Sequence, residues 1–389
     1  MEPYFADEWG NPSSAHSFGL KAHQAINRAR AQVALLVGVE ARQIVFTCSA
    51  TEANNTALSA AVQARDKKGK IVTTATEHSA VLNFCSAVAR RDVEVQIVPV
   101  LSSGVVDVAA LSEALTPDTA VLSMMWANNE TGVVNPVEHV SELCRQRGIL
   151  FHCDAVQAAG KLPIDLRDLS IDYLTISAHK LFGPKGAGAL VLGHQTPFTA
   201  MLYGGHQEND RRGGTENVPA IVGFGRAAEL AKAEQPFWSE RVRGLRDELE
   251  SRILAEIPGT YLNGSNIPRI ANTTNIGFEG LDSETLVSLL DQEGVCVSSG
   301  SACLSDSITP SHVVQAMTGS YQKAGEAIRF SLSHLNDIRD LEKVLGCLKR
   351  VVSTLRESNV KRLVNSTEMN CTLRDMYFRV ATKYRRAEH

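Results

Sequence analysis

The first half of the chain alternates between short apolar runs and segments with helical spacing, and that alternation constrains the fold most. The apolar runs are Gln43-Ile-Val-Phe-Thr47, Lys70 to Ala75, Val95 to Val100, Ala120 to Trp126, Gly148 to Cys153, Leu174 to Ile176 and Ala189 to Leu192. Between them lie segments such as Phe18 to Val37, with Leu20, Ala25, Ile26, Ala29, Val33 and Leu36 on one helical face and Gly38 as a stop. Strands separated by helices predict an α/β fold: an open, mostly parallel sheet covered by helices. Such sheets bind ligands beyond the carboxyl ends of their strands. Thr51, His78, Asn129, Asp154, Gln157 and Lys180 sit at those ends.

Each of the six has an ordinary explanation when taken singly. Thr51 and Asp154 can cap helices, Asn129 and Gln157 suit loops, and a histidine such as His78 is often a satisfied structural residue. Lys180 alone reads as a solvated loop lysine. Six polar residues at equivalent strand ends are harder to dismiss. Lys180 follows the strand in the turn Ser177-Ala-His-Lys180, crowded by His179, where an amine pKa can fall and the amine become a nucleophile. Cys48-Ser-Ala-Thr-Glu52 is a polar turn that opens a helix, so free backbone N–H groups and the positive dipole end make it an anion site.

Beyond the alternation, residues 204 to 217 are too polar and glycine-rich for regular structure, and Arg211 and Arg212 beside Thr215 could receive a phosphate or serve a partner subunit's site. Residues 224 to 256 read as a long charged helix. The domain change is placed near Pro236, giving a large domain over 1–236 and a smaller α+β domain over 237–389. In the second, Thr273 to Phe278, Val295 to Val297 and Ala327 to Ser331 look like strands, and Glu284 to Gln292 and Asp337 to Arg356 like helices. Arg329 interrupts one strand pattern with a charged fork suited to a carboxylate.

A length of 389 residues suits two domains, and a net charge of −4 gives no support for a nucleic-acid or membrane-surface role. No apolar run approaches spanning length and no signal core is present, so a reducing, cytoplasmic setting is expected. The eight cysteines form no C-x-x-C pair, which argues against a disulfide framework and against a metal site. Cys303 differs from the rest. Ser298-Ser-Gly-Ser-Ala-Cys-Leu-Ser-Asp-Ser307 surrounds it with small polar residues, so it is expected to be exposed and available as a thiolate.

Taken in order, Asn11-Pro-Ser-Ser14, Ala50-Thr51-Glu52, Glu77-His78, Ala127-Asn-Asn-Glu-Thr-Gly132, His152-x-Asp154-x-x-Gln157, His179-Lys180, Arg212-x-x-Thr215-Glu-Asn217 and Ser298-Ser-Gly-Ser-Ala-Cys303 resemble the motifs of the cysteine desulfurases of nitrogen-fixation type. These are pyridoxal-phosphate enzymes of the class V aminotransferase group. The resemblance implies the type I pyridoxal-phosphate transferase fold, with a seven-stranded sheet in the large domain. It implies that Lys180 holds pyridoxal 5′-phosphate through its amine and moves the substrate proton, that Asp154 pairs with the ring nitrogen, and that Gln157 bonds the phenolic oxygen. His78 would stack on the ring. Ala50, Thr51, Ser177 and His179 would hold the phosphate, joined by Thr215 from the second subunit of a homodimer. Asn129 and Arg329 would fix the carboxylate of L-cysteine. Cys303 would take the sulfur as a persulfide, leaving L-alanine, and pass it to an acceptor or iron–sulfur scaffold protein.

The chain departs from the family's pattern in places. Ala178 replaces a common glycine, Asn209 a common arginine, and the phosphate turn Cys48-Ser-Ala-Thr51 contains no glycine. The family's usual N-terminal strand and its Asn-Ala-Thr-Thr run are absent before Met1, so the small domain is expected to lack a strand and the site a wall. Two other functions fit the same motifs: a selenocysteine lyase, or another lyase or aminotransferase of this fold. From a different class comes an inactive scaffold.

Overall fold

The computed structural model describes residues 1–65, 69–300 and 310–358. Its larger sheet has strands β1 (Ile44–Thr47), β2 (Lys70–Thr74), β3 (Val95–Val98), β4 (Thr119–Met125), β5 (Leu150–Asp154), β6 (Tyr173–Ser177) and β7 (Gly188–Leu192). They lie in the order β1-β7-β6-β5-β4-β2-β3. Neighbours from β6 through β3 pair in parallel, while β7 is antiparallel to both β6 and β1. Because two reversals restore direction, β1 runs the same way as β6. Six strands therefore end at one edge, and only β7 runs against them.

The pleat explains why these strands read as continuous apolar runs. Successive side chains point to opposite faces, and both faces are covered. Val45, Ile71, Val121, Tyr173 and Leu190 pack under the helix Ala50–Gln63, through Ala53, Ala57 and Leu58. Their neighbours Phe46, Val72, Leu122, Leu174 and Val191 face the opposite way, against helices Ser17–Val37 and Val137–Arg147 and the start of Val218–Glu256. A sheet buried on two sides has no polar face to alternate with.

A second, antiparallel sheet contains β8 (Thr260–Asn263), β9 (Thr273–Phe278) and β10 (Ala327–Ser331) in the order β10-β9-β8. Ile276, Phe278, Ile328 and Phe330 pack with Leu286 and Leu290 of helix Ser283–Gln292 and with Leu345 and Leu348 of the helical stretch 338–358. Two details differ from the pattern reading. β8 carries no strong apolar alternation and went unread. Val295 to Val297, expected as a strand, forms none; among the described residues this segment meets β10 through one bridge, between Ser298 and Arg329.

Pro236 lies inside the 39-residue helix Val218–Glu256. Before it, Val218, Ile221 and Phe224 belong to the core of the large sheet; after it, Val242, Leu249 and Ile253 belong to the core of the small one. The passage from one core to the other is thus made within a helix. A proline there removes one backbone donor where packing on both sides holds the helix in place.

Candidate active site

Residues from the turns and helices that follow β1 and β2, and from β4, β5, β6, β10 and the segments after β4, β5 and β6, converge on one cavity of about 420 Å³ at the carboxyl edge of the large sheet. At its base Asp154 ends β5. Its Oδ2 accepts from Asn54 Nδ2 at 2.8 Å and its Oδ1 from the N–H of Val156 at 3.0 Å. A carboxylate only accepts, so the amide nitrogen of Asn54 must face Asp154 and its oxygen must face away. That oxygen stands 3.1 Å from His152 Nε2, which therefore carries the proton, while Nδ1 lies 2.8 Å from the Ser123 hydroxyl. Burial pushes His152 down to about 3, so the ring is neutral and serves as a fixed donor. Burial raises the pKa of Asp154, and Asn54, the Val156 N–H, His78 and Lys180 oppose that rise. Such a carboxyl gains from a cation placed beside it.

Lys180 occupies the 3₁₀ turn Ala178–Leu181 that follows β6, closed by Phe182 in the left-handed region at φ 61°. Partial burial lowers the pKa of its amine, the Arg329 charge lowers it further, and Asp154 counteracts both. The amine has no hydrogen-bond or ion-pair partner among the described residues, which leaves it available as a nucleophile. His78 caps the helix Ser79–Ala89, its Nδ1 accepting from the N–H of Ala80 at 3.0 Å. That bond settles the tautomer, with the proton on Nε2.

The turn after β1 makes the anion pole. Ser49 caps helix Ala50–Gln63, accepting from the Glu52 N–H, and the N–H groups of Ala50 and Thr51 precede the first intrahelical bond. Glu52 closes the turn by accepting from the Cys48 N–H at 2.9 Å. Its negative charge is matched by Arg212, whose Nε lies 2.9 Å away. The turn lacks its own glycine, yet close approach is supplied from the facing strand. A Cβ on Gly188 of β7 would stand 2.7 Å from the Ser49 carbonyl carbon. Ser177, at the end of β6, and His179 complete this side of the cavity.

The opposite wall belongs to the small sheet. Arg329 of β10 donates from Nη1 to the Asn129 carbonyl at 3.0 Å, while its Nε and the Asn129 Oδ1 are buried with no partner among the described residues. Arginine stays protonated although burial lowers its pKa. An unpartnered buried donor beside an unpartnered buried acceptor implies a ligand with both kinds of group. Behind them Glu130, buried, accepts from the Ser311 hydroxyl, and His312 reaches the Glu77 carbonyl at 2.9 Å.

The cavity thus gathers Ala50, Thr51, His78, Asn129, Asp154, Gln157, Ser177, His179, Lys180 and Arg329. Thr215 lies elsewhere in this chain, beside Cys48, Arg212 and Asn217. Arg211 and Arg212 are engaged within the chain, by the Arg42 carbonyl at 2.7 Å and by Glu52. Cys303 lies outside the described residues. Sequence reasoning missed Asn54 and His312 in the cavity lining, and Lys161 behind Gln157. Asn54 offered a signal, an amide on the buried, mostly apolar face of its helix. The others gave none before the fold placed them.

A family model described as aminotransferase class-V matches residues 1–344. The chain is 46% identical over 356 residues to cysteine desulfurase 2 of Trichormus variabilis, covering 92% of this chain and 89% of the relative. It is 46% identical over 360 residues to a cysteine desulfurase of Sinorhizobium fredii, covering 92% and 93%. Among solved structures, a NifS-like protein superposes with a TM-score of 0.84 at 35% identity, over 92% of this chain and 94% of that one. SspA in complex with cysteine superposes with a TM-score of 0.75 at 34% identity, over 87% and 94%.

Proposed function

Because the chain belongs to the class-V aminotransferase family and is a cysteine desulfurase, we propose that its cavity holds pyridoxal 5′-phosphate and L-cysteine together. The arrangement of Lys180 between Asp154 and Arg329 carries this reading. It sets an amine of lowered pKa between a carboxylate that gains from a cation and a cation whose Nε has no partner among the described residues.

The donor set fits the cofactor at each pole. Asp154 would hold a protonated ring nitrogen, the Ser49–Thr51 turn with Ser177 and His179 would hold the phosphate, and Lys180 would hold the aldehyde group through its amine. When bound, the cofactor supplies an electron sink that stabilises negative charge at the substrate α-carbon. The protein supplies the rest. Arg329 and the amide nitrogen of Asn129 receive the substrate carboxylate, which only accepts. Lys180 carries the α-proton, and His78 presents its Nε2–H to the cavity. Positioned acid–base groups of this kind contribute on the order of 10² to 10⁴ in rate.

Cys303 is the sulfur acceptor in this reading. Its thiolate forms an S–S bond with the substrate sulfur as the substrate C–S bond breaks. The carbon fragment takes a proton and leaves as alanine, and the persulfide passes to an acceptor protein. Thr215 serves the second subunit of a homodimer.

The test is alanine and sulfide release from L-cysteine with added pyridoxal phosphate. Wild type produces alanine, Lys180→Ala produces none, and Cys303→Ser loses at least about 10²-fold. Alanine formation by Cys303→Ser at the wild-type rate sinks the persulfide step. A wild-type protein that takes up no cofactor sinks the whole reading.

A further inference from the structure

Gln157 is held from behind by a buried lysine with no part in the chemistry above. Gln157 and Lys161 stand four residues apart in the turn after β5, a spacing that brings their side chains together. Lys161 Nζ lies 2.9 Å from Gln157 Oε1 and 3.2 Å from the Gln157 carbonyl. The lysine is 6% exposed, which is unusual for this residue type. Burial, together with the Lys180 charge, pushes its pKa down to about 7. Charged or neutral, the amine keeps enough N–H groups to serve both oxygens.

The lysine is itself anchored at the junction of the two cores. Its carbonyl accepts from Gln235 Nε2 at 3.1 Å and from the Ser239 hydroxyl at 3.2 Å. These two residues flank Pro236 in the long helix. On the other side, a Cβ on Gly160 would come within 2.5 Å of Leu181, the neighbour of Lys180. The turn is thus wedged between the lysine-bearing 3₁₀ turn and the helix that joins the domains.

We propose that Lys161 is a positioning residue that fixes the amide of Gln157, so that its nitrogen, and not its oxygen, faces the cavity. The amide oxygen is taken by Lys161, and the amide nitrogen has no partner among the described residues. What remains toward the cavity is an N–H donor, suited to an anionic oxygen and adverse to a protonated one. The inference rests on the cofactor reading, in which that oxygen is the phenolic oxygen of the ring. A donor held there favours the ionised oxygen and lowers the pH at which the bound cofactor changes colour.

The measurement is a pH titration of the visible absorption of the loaded protein, without substrate, for wild type, Lys161→Met, Gln157→Ala and the double variant. Methionine keeps the stem volume and removes the donor. Lys161→Met is expected to raise the midpoint by about one pH unit, the order expected when one hydrogen bond to a charged oxygen is weakened. Gln157→Ala should raise it at least as far, and the double variant no further than Gln157→Ala alone. Additive shifts overturn the proposal, since Lys161 would then act by its charge and not through Gln157. An unshifted Lys161→Met overturns it as well. Gln157→Glu is the companion variant should Lys161→Met not fold. It puts an acceptor where the donor stood, and must raise the midpoint; an unchanged midpoint overturns the proposal. Wild type that takes up no visible chromophore overturns the cofactor reading and this inference with it.

Discussion

Asn54 Nδ2 and Asp154 Oδ2 lie 2.8 Å apart although 100 positions separate the residues. The bond ties a helix on one face of the sheet to the end of a central strand. Asn54→Ala would leave the Asp154 Oδ2 without this donor in a buried setting and leave the His152 N–H to the Thr175 hydroxyl, 3.2 Å away. The expected loss is about 1–3 kcal/mol of stability and about tenfold or more in turnover. Urea denaturation and steady-state rates check this, and a variant within about 0.5 kcal/mol of wild type would show the link to be dispensable.

Arg329→Lys tests the fork separately from the charge. Lysine keeps a cation opposite Lys180, but loses the planar pair of donors of which one already serves the Asn129 carbonyl. KM for L-cysteine is expected to rise about tenfold or more, with kcat affected less, since a carboxylate prefers bidentate contact. A KM unchanged from wild type would place the substrate carboxylate elsewhere.

Glu77 gives a pH signature. It is fully buried, accepts from the Thr74 hydroxyl at 2.7 Å and the Met125 N–H at 2.9 Å, and its Oε2 has no partner among the described residues. Burial pushes its carboxyl up to about 8. The folded state therefore holds a proton that the unfolded chain releases near its ordinary value. Stability from this group falls as pH rises from about 4.5 to about 8, and is level above that. Glu77→Gln keeps both acceptor bonds and cannot ionise, so its melting temperature relative to wild type should climb across that window. A constant difference from pH 5 to pH 9 would contradict it.

Much of the architecture was legible because the physics behind it is local. Both faces of the large sheet are covered, so its strands had to be continuous apolar runs, and the polar residues that end them stood out. The glycine at Gly38 stopped the helix Ser17–Val37 by adopting φ 76°, as its position suggested. β8 was illegible because a short strand in a half-buried position needs no strong pattern. Pro236 reads as a break in any local rule, but packing on two cores carries the helix through it.

By itself, the sequence determined which residues end the strands and which chemical types they bring: an amine, a carboxyl, an imidazole, amides and a hydroxyl-bearing turn. Only the tertiary structure decided their electrical state and orientation. Asp154 and Lys180 owe their shifted ionisation to burial, which each partly offsets in the other, and Arg329 lowers Lys180 further from a different sheet. Asn54 finds His152 and Asp154, and Lys161 finds Gln157, only when the turn and the long helix are packed together. Burial and through-space charge depend on distances that the order of residues along a chain does not contain.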